Sequence, residues 1–144
     1  MIVSQILKSK ADIGVISVKA DASVSEAVGI LSEKRIGTVV VSEDGASLDG
    51  ILSERDIVRE MGKRGVACLA EPVSAIMTAK LVTCSPEDTA DKVLEMMTIG
   101  RFRHLPVMHN GTMVGLISIG DVVKARLSEL SMEKDALQGM IMGH

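Results

Sequence analysis

The chain has 144 residues, 47% of them apolar, and its 16 Lys and Arg against 19 Asp and Glu leave a formal net charge of −3. That apolar share excludes a disordered chain, while the acidic balance and a single aromatic residue, Phe102, exclude a basic, base-stacking nucleic-acid binder. Apolar runs such as Val39-Val40-Val41 are too short to cross a bilayer and Met1 to Lys10 has no signal-peptide pattern. Cys68 and Cys84 lack CxxC or metal-ligand spacing, which predicts reduced, buried thiols in a cytoplasmic protein without a metal site.

In chain order, Val3-Ser4-Gln5-Ile6-Leu7 is a lead-in to a first strand at Ile16-Ser17-Val18. A helix follows from Val24 to Arg35, opened by a capping box of Ser23 with Glu26. Val24, Ala27, Val28 and Leu31 recur at the spacing of one buried helical stripe. Val39-Val40-Val41 then reads as a strand, Asp44-Gly45 as a tight hairpin turn, and Gly50 to Asp56 as a strand running into a helix. The segment from Gly62 to Gly65, with Lys63 and Arg64, ends the first unit, and a linker covers residues 66–72.

The order then repeats. Val73-Ser74-Ala75-Ile76-Met77 matches the first lead-in, and Val82-Thr83-Cys84 is the next strand. Thr89 opens a helix with Ala90, Val93, Leu94 and Met97 on its buried stripe, and Gly100 is expected to stop it. Leu105-Pro106-Val107, the turn Asn110-Gly111, and Gly115 through Asp121 complete the copy. The offset is 66 positions as far as Gly45 and Gly111 and 65 from Gly50 and Gly115 onward, so one residue is extra in the first hairpin. Such duplication implies two small units that bury a shared face. The predicted organisation is a first repeat at 1–65, the linker, a second repeat at 73–130 and a helical tail at 131–144. Leu127, Leu130, Leu137, Met140 and Ile141 make that tail amphipathic, fit either to fold back or to meet a partner chain.

Two places could carry chemistry. Ser53-Glu54-Arg55-Asp56 and Ser118-Ile119-Gly120-Asp121 each sit where a strand ends and a helix begins. A Ser with an acid three residues on is a capping box, which stabilises a helix start by about 0.5–2 kcal/mol. The same geometry offers unpaired N–H groups to an anion and a carboxylate able to accept both hydrogens of a ribose diol. Both readings stand on the sequence. Arg101-Phe102-Arg103-His104 adds three groups that can be cationic, suited to a phosphate; its counterpart Arg35-Ile36-Gly37-Thr38 keeps only the Arg. Two different sites are therefore expected, the first relying on Thr38 and Arg55.

These residues resemble the tandem cystathionine-β-synthase (CBS) domain pair, or Bateman module. The likeness rests on Leu105-Pro106-Val107, on Gly115 to Val123 with their counterparts Gly50 to Val58, and on Val73 to Thr78. It spans about residues 3–130. The resemblance implies an α/β (α+β) fold of two βαββα repeats packed sheet to sheet about a pseudo-twofold axis, plus the tail. It also implies clefts for AMP, ADP, ATP, NAD or S-adenosylmethionine, with Asp56 and Asp121 on ribose, supported by Ser53 and Ser118. Backbone near Ile16–Val18 and Val82–Cys84 would read adenine. The expected nucleotide-binding residues are Ser118, Gly120, Asp121, Arg101, Arg103, His104 and Pro106, and Ser53, Arg55, Asp56, Gly37 and Thr38 in the other half. The first copy has Val40 in place of Pro106 and no equivalent of His104.

Ser118, Asp121 and His104 also hold the letters of a hydrolase triad. However, no GxSxG pattern surrounds Ser118, and only the Ser/Asp pair is duplicated. The chain carries no Rossmann fingerprint or P-loop. The expectation is a stand-alone, non-catalytic regulator with no resident cofactor. It would bind an adenine nucleotide (AMP, ATP or NAD), form a homodimer and signal to an effector protein. The alternative is a ligand-free dimerisation scaffold docking to a partner protein.

Overall fold

A computed structural model describes residues 1–10 and 14–141. The tail residues 142–144 assigned above therefore lie outside the described residues. The elements are α1 (Val3–Ser9), β1 (Ser17–Val18), α2 (Val24–Lys34), β2 (Thr38–Val41), β3 (Gly50–Ser53), α3 (Glu54–Arg64), 3₁₀ turns at Gly65–Ala70 and Val73–Ala75, α4 (Ala90–Gly100), β4 (His104–His109), β5 (Thr112–Ser118) and α5 (Ile119–Ile141). This is a mixed α+β fold with two small sheets.

The chain divides into two compact units that interleave the sequence order. One comprises residues 1–10, 83–109 and 115–141, the other residues 14–82 and 110–114. In the latter, β1 pairs parallel with β2, and β2 antiparallel with β3 in the register Thr38–Ser53 to Val41–Gly50. β2 is buried along its whole length, removing both faces from water. Val39, Val41 and Leu52 pack with Val24, Ala27 and Leu31 of α2, Ile57 of α3, and Val73 and Ile76. In the other unit Leu105, Val107 and Ile117 meet Ala90, Val93 and Met97 of α4, Val122 and Ala125 of α5, and Val3 and Ile6 of α1.

Each lead-in thus belongs to the unit of the other repeat. Val3 N and Ser4 N donate to Asp88 O and Pro86 O, both at 2.9 Å, and Ala90 N donates to Met1 O at 3.0 Å. The matching bonds run from Val73 N to Ala22 O, Ser74 N to Ala20 O and Val24 N to Glu71 O. Close approach of the straps fixes two equivalent glycines. A Cβ at Gly50 would sit 2.7 Å from Met77 Sδ and 2.9 Å from Thr78 O, and one at Gly115 would sit 2.9 Å from Leu7. The straps differ in pitch: the first is α-helical, the second a single 3₁₀ turn.

Several local expectations need correction. The Asn110-Gly111 turn forms as read, with φ of 52° and 78° and two residues between strands. Asp44-Gly45 instead lies in an eight-residue loop, residues 42–49, where the Asp44 carboxylate accepts from Ala46 N and Ser47 N. Those backbone donors hold the Asp44 carboxyl down at about 2. Val82-Thr83-Cys84 is not a strand; a lone parallel bridge joins Cys84 to Val107. Burial, reinforced by Asp88, pushes the Cys84 thiol up to about 12, and Cys68 is buried as well.

Helix ends show the same mixture. Ser23 accepts from Glu26 N at 3.1 Å and Thr89 from Lys92 N at 3.1 Å. The reciprocal box expected at Ser23 forms in α3 instead, where Ser53 and Asp56 bond each other. Gly100 does not stop α4. Arg101 does, in the left-handed region (φ 58°, ψ 37°), as Arg35 does for α2 (φ 55°, ψ 46°). Gly100 is the last helical residue, and the Phe102 ring occupies the space its Cβ would need. The linker is ordered too: Gly65–Ala70 buries Cys68, and Arg64 bonds both Glu71 oxygens at 2.6 Å.

Candidate functional site

Each unit carries one of the Ser/Asp pairs. At the start of α5, Ser118 N donates to Asp121 Oδ2 at 2.9 Å and Asp121 N donates to Ser118 Oγ at 3.1 Å. The strand-to-helix corner is fixed by Ile119 N donating to Arg103 O at 2.9 Å. The other unit repeats this: Ser53 N to Asp56 Oδ2 at 3.0 Å, Asp56 N to Ser53 Oγ at 3.2 Å, and Glu54 N to Gly37 O at 2.9 Å. The capping geometry is therefore realised twice. It also holds each carboxylate in place as an acceptor, because a box fixes the acid's rotamer while using only part of its lone-pair capacity.

The two carboxylates differ in what remains. Asp56 is buried, its Oδ2 also accepts from Ser53 Oγ at 3.0 Å, and its Oδ1 pairs with Arg59 Nη2 at 2.8 Å. Asp121 is half-buried and receives Lys10 Nζ at 2.8 Å on Oδ2, the oxygen that also accepts from Ser118 N. Burial opposes ionisation of Asp121, but the Lys10 ammonium and the Ser118 donors together hold its carboxyl below the usual range.

His104 stands at the start of β4, half-buried, in the same unit. Burial, Lys10 and Arg103 lower its pKa against the opposing pull of Asp121. Those influences together weigh against its cationic form. Arg101 and Arg103 are exposed, and Gly120 is exposed in the first turn of α5. Pro106 is buried within β4, its carbonyl accepting from Cys84 N at 3.0 Å. In the other unit Thr38 is buried opposite Ser53 across β2 and β3, Gly37 sits half-buried beside Glu54, and Arg55 is exposed.

Lys10 is the residue that the sequence reading missed. Besides pairing with Asp121, its Nζ donates to Leu116 O at 2.9 Å. The lead-in match, continued three residues past Leu7 and Met77, aligns Lys10 with Lys80 and could have drawn notice to it. Lys80 itself is exposed, and Arg59 holds the Asp56 carboxylate. Among the described residues no cluster of His, Cys, Asp and Glu could hold a metal ion, and no helix is long and apolar enough to cross a membrane.

The CBS domain family matches residues 4–63 and 73–128, and the chain belongs to it. It is 35% identical over 148 residues to the CBS domain-containing protein CBSX3, mitochondrial, of Arabidopsis thaliana, covering 98% of this chain and 72% of that protein. The crystal structure of the CBS-domain containing protein ATU1752 from Agrobacterium tumefaciens superposes with a TM-score of 0.82. It is 44% identical, over 88% of this chain and 99% of that one. CBSX2 in complex with AMP shares the fold at a TM-score of 0.73 and 24% identity, over 88% of this chain and 96% of that one.

Proposed function

We propose that the chain is a regulatory CBS pair that binds adenine nucleotides (AMP, ADP, ATP or NAD) and signals by a change of conformation or homodimer geometry read by an effector protein. The observation that carries this reading is the Ser118–Asp121 box, which pins a carboxylate at a helix start with Ser118 N and Lys10 Nζ both on Oδ2. An acceptor so placed suits a vicinal diol, and Arg101 and Arg103 supply exposed cations in the same unit. The AMP complex of CBSX2 supports the fold's ability to take such a ligand. In this reading Asp56, Ser53, Gly37, Thr38 and Arg55 form a second, weaker site, because Arg59 and Ser53 already engage both Asp56 oxygens. The role is regulatory rather than catalytic, and the two buried free thiols fit a reducing compartment.

A ligand-free assembly role is the competing reading, favoured by the exposed apolar residues along α5. Two measurements separate them. With no Trp or Tyr the protein has almost no near-ultraviolet absorbance, so a co-purified nucleotide would show as an adenine band. Saturating ligand at about 100 times its Kd adds about 2.7 kcal/mol of stability, readable as a rise in Tm. Asp121→Asn, which keeps the shape of the cap, is expected to abolish most of the AMP-induced rise, measured from a ligand-free Tm that is itself lowered by loss of the Lys10 ion pair. A flat spectrum and no rise with AMP, ATP or NAD would leave the assembly role.

A further inference from the structure

We propose that Lys10 is a specificity-determining residue that makes the Asp121 site choose phosphorylated nucleosides over free ones; this rests on the nucleotide-binding reading above. The ammonium lies 2.8 Å from the carboxylate that would hold the ribose diol, anchored by a second bond to Leu116 O at 2.9 Å. Its side chain is 32% exposed and that of Asp121 21%, so the pair is partly withdrawn from water.

An occupant offering two hydroxyls to Asp121 competes with Lys10 for the same acid. A nucleoside that succeeds leaves a half-buried ammonium without its counter-ion, which is costly. A nucleoside phosphate brings its own anion on the same sugar ring, and the flexible four-carbon stem lets the displaced ammonium turn to it. Lys10 and Arg103 outweigh the single negative charge of Asp121 beside His104. The local balance thus favours an anionic ligand. Lys10 penalises the uncharged ligand and rewards the charged one, the two halves of a specificity device.

The test is calorimetric titration of the full chain with AMP and with adenosine, for wild type, Lys10→Met and Lys10→Arg. Loss of a charge-assisted bond is expected to weaken AMP about ten- to hundredfold in Lys10→Met. Adenosine should bind the same variant as well as or better than wild type, and Lys10→Arg should recover most of the preference for AMP. Equal loss for both ligands, or an unchanged ratio, overturns the role of Lys10 while leaving nucleotide binding intact. A wild-type chain that binds neither ligand removes the nucleotide reading and this one with it.

Discussion

Asp121 and His104 sit in one electrostatic neighbourhood, and acid acts on both in the same sense. Each has its folded pKa below the ordinary value, so the unfolded chain takes up protons more readily and stability falls as pH falls. The His104 contribution begins below its unfolded value of 6.5, that of Asp121 below 3.8. The expected outcome is a Tm that declines in two steps on acidification, with His104→Gln removing the upper step. A second residue-scale contrast concerns glycines. Gly50→Ala would press a methyl against Met77 and the Thr78 carbonyl and should cost about 1–3 kcal/mol in urea unfolding. Gly29, inside α2 with open space around it, should gain about 0.5–1 kcal/mol on change to Ala. The two serine–aspartate pairs were legible as letters in the sequence, because capping spacing is local. Lys10 was not, since its partner lies 111 positions away and only the fold brings the two together.

At the scale of elements, strong periodicity translated directly into structure and weak signals did not. The stripes of α2 and α4 are buried as spaced, with Val28 and Leu94 at their half-exposed edges. A dipeptide such as Asp44-Gly45 fixes a turn only when the chain on both sides is ready to pair; here Ser42 and Ser47 bond across the loop and widen it. The strand at Val82–Cys84 shrank to one bridge because only Cys84 is drawn against β4. α5 buries Val122 and Ala125, but a second apolar side is not folded away. Val123, Leu127, Leu130, Lys134, Leu137 and Ile141 alternate at four and three residues and are all exposed. That spacing is the one a coiled-coil seam uses, here with a single Lys among its positions. If the proposed homodimer closes along it, Leu130→Glu with Leu137→Glu should halve the mass measured by light scattering without altering Tm by more than a few degrees. An unchanged mass would move the dimer contact elsewhere.

For the molecule as a whole, the duplication read from the sequence is real, but each copy lends its first residues to the other's core. Val3 and Ile6 complete the cluster around Met97 and Ile117, while Val73 and Ile76 complete the one around Leu31 and Leu52. Sequence order alone gave no sign of that exchange, since a strap reads the same whichever sheet it lies on.

The exchanged straps give the two repeats a shared fate. Neither could be inherited, duplicated again or lost singly without uncovering apolar side chains in the survivor, so selection meets the pair as one heritable object. The same exchange ties residues near the amino terminus, Lys10 among them, to a carboxylate encoded in the last quarter of the chain. A change at either place is thereby felt at the other.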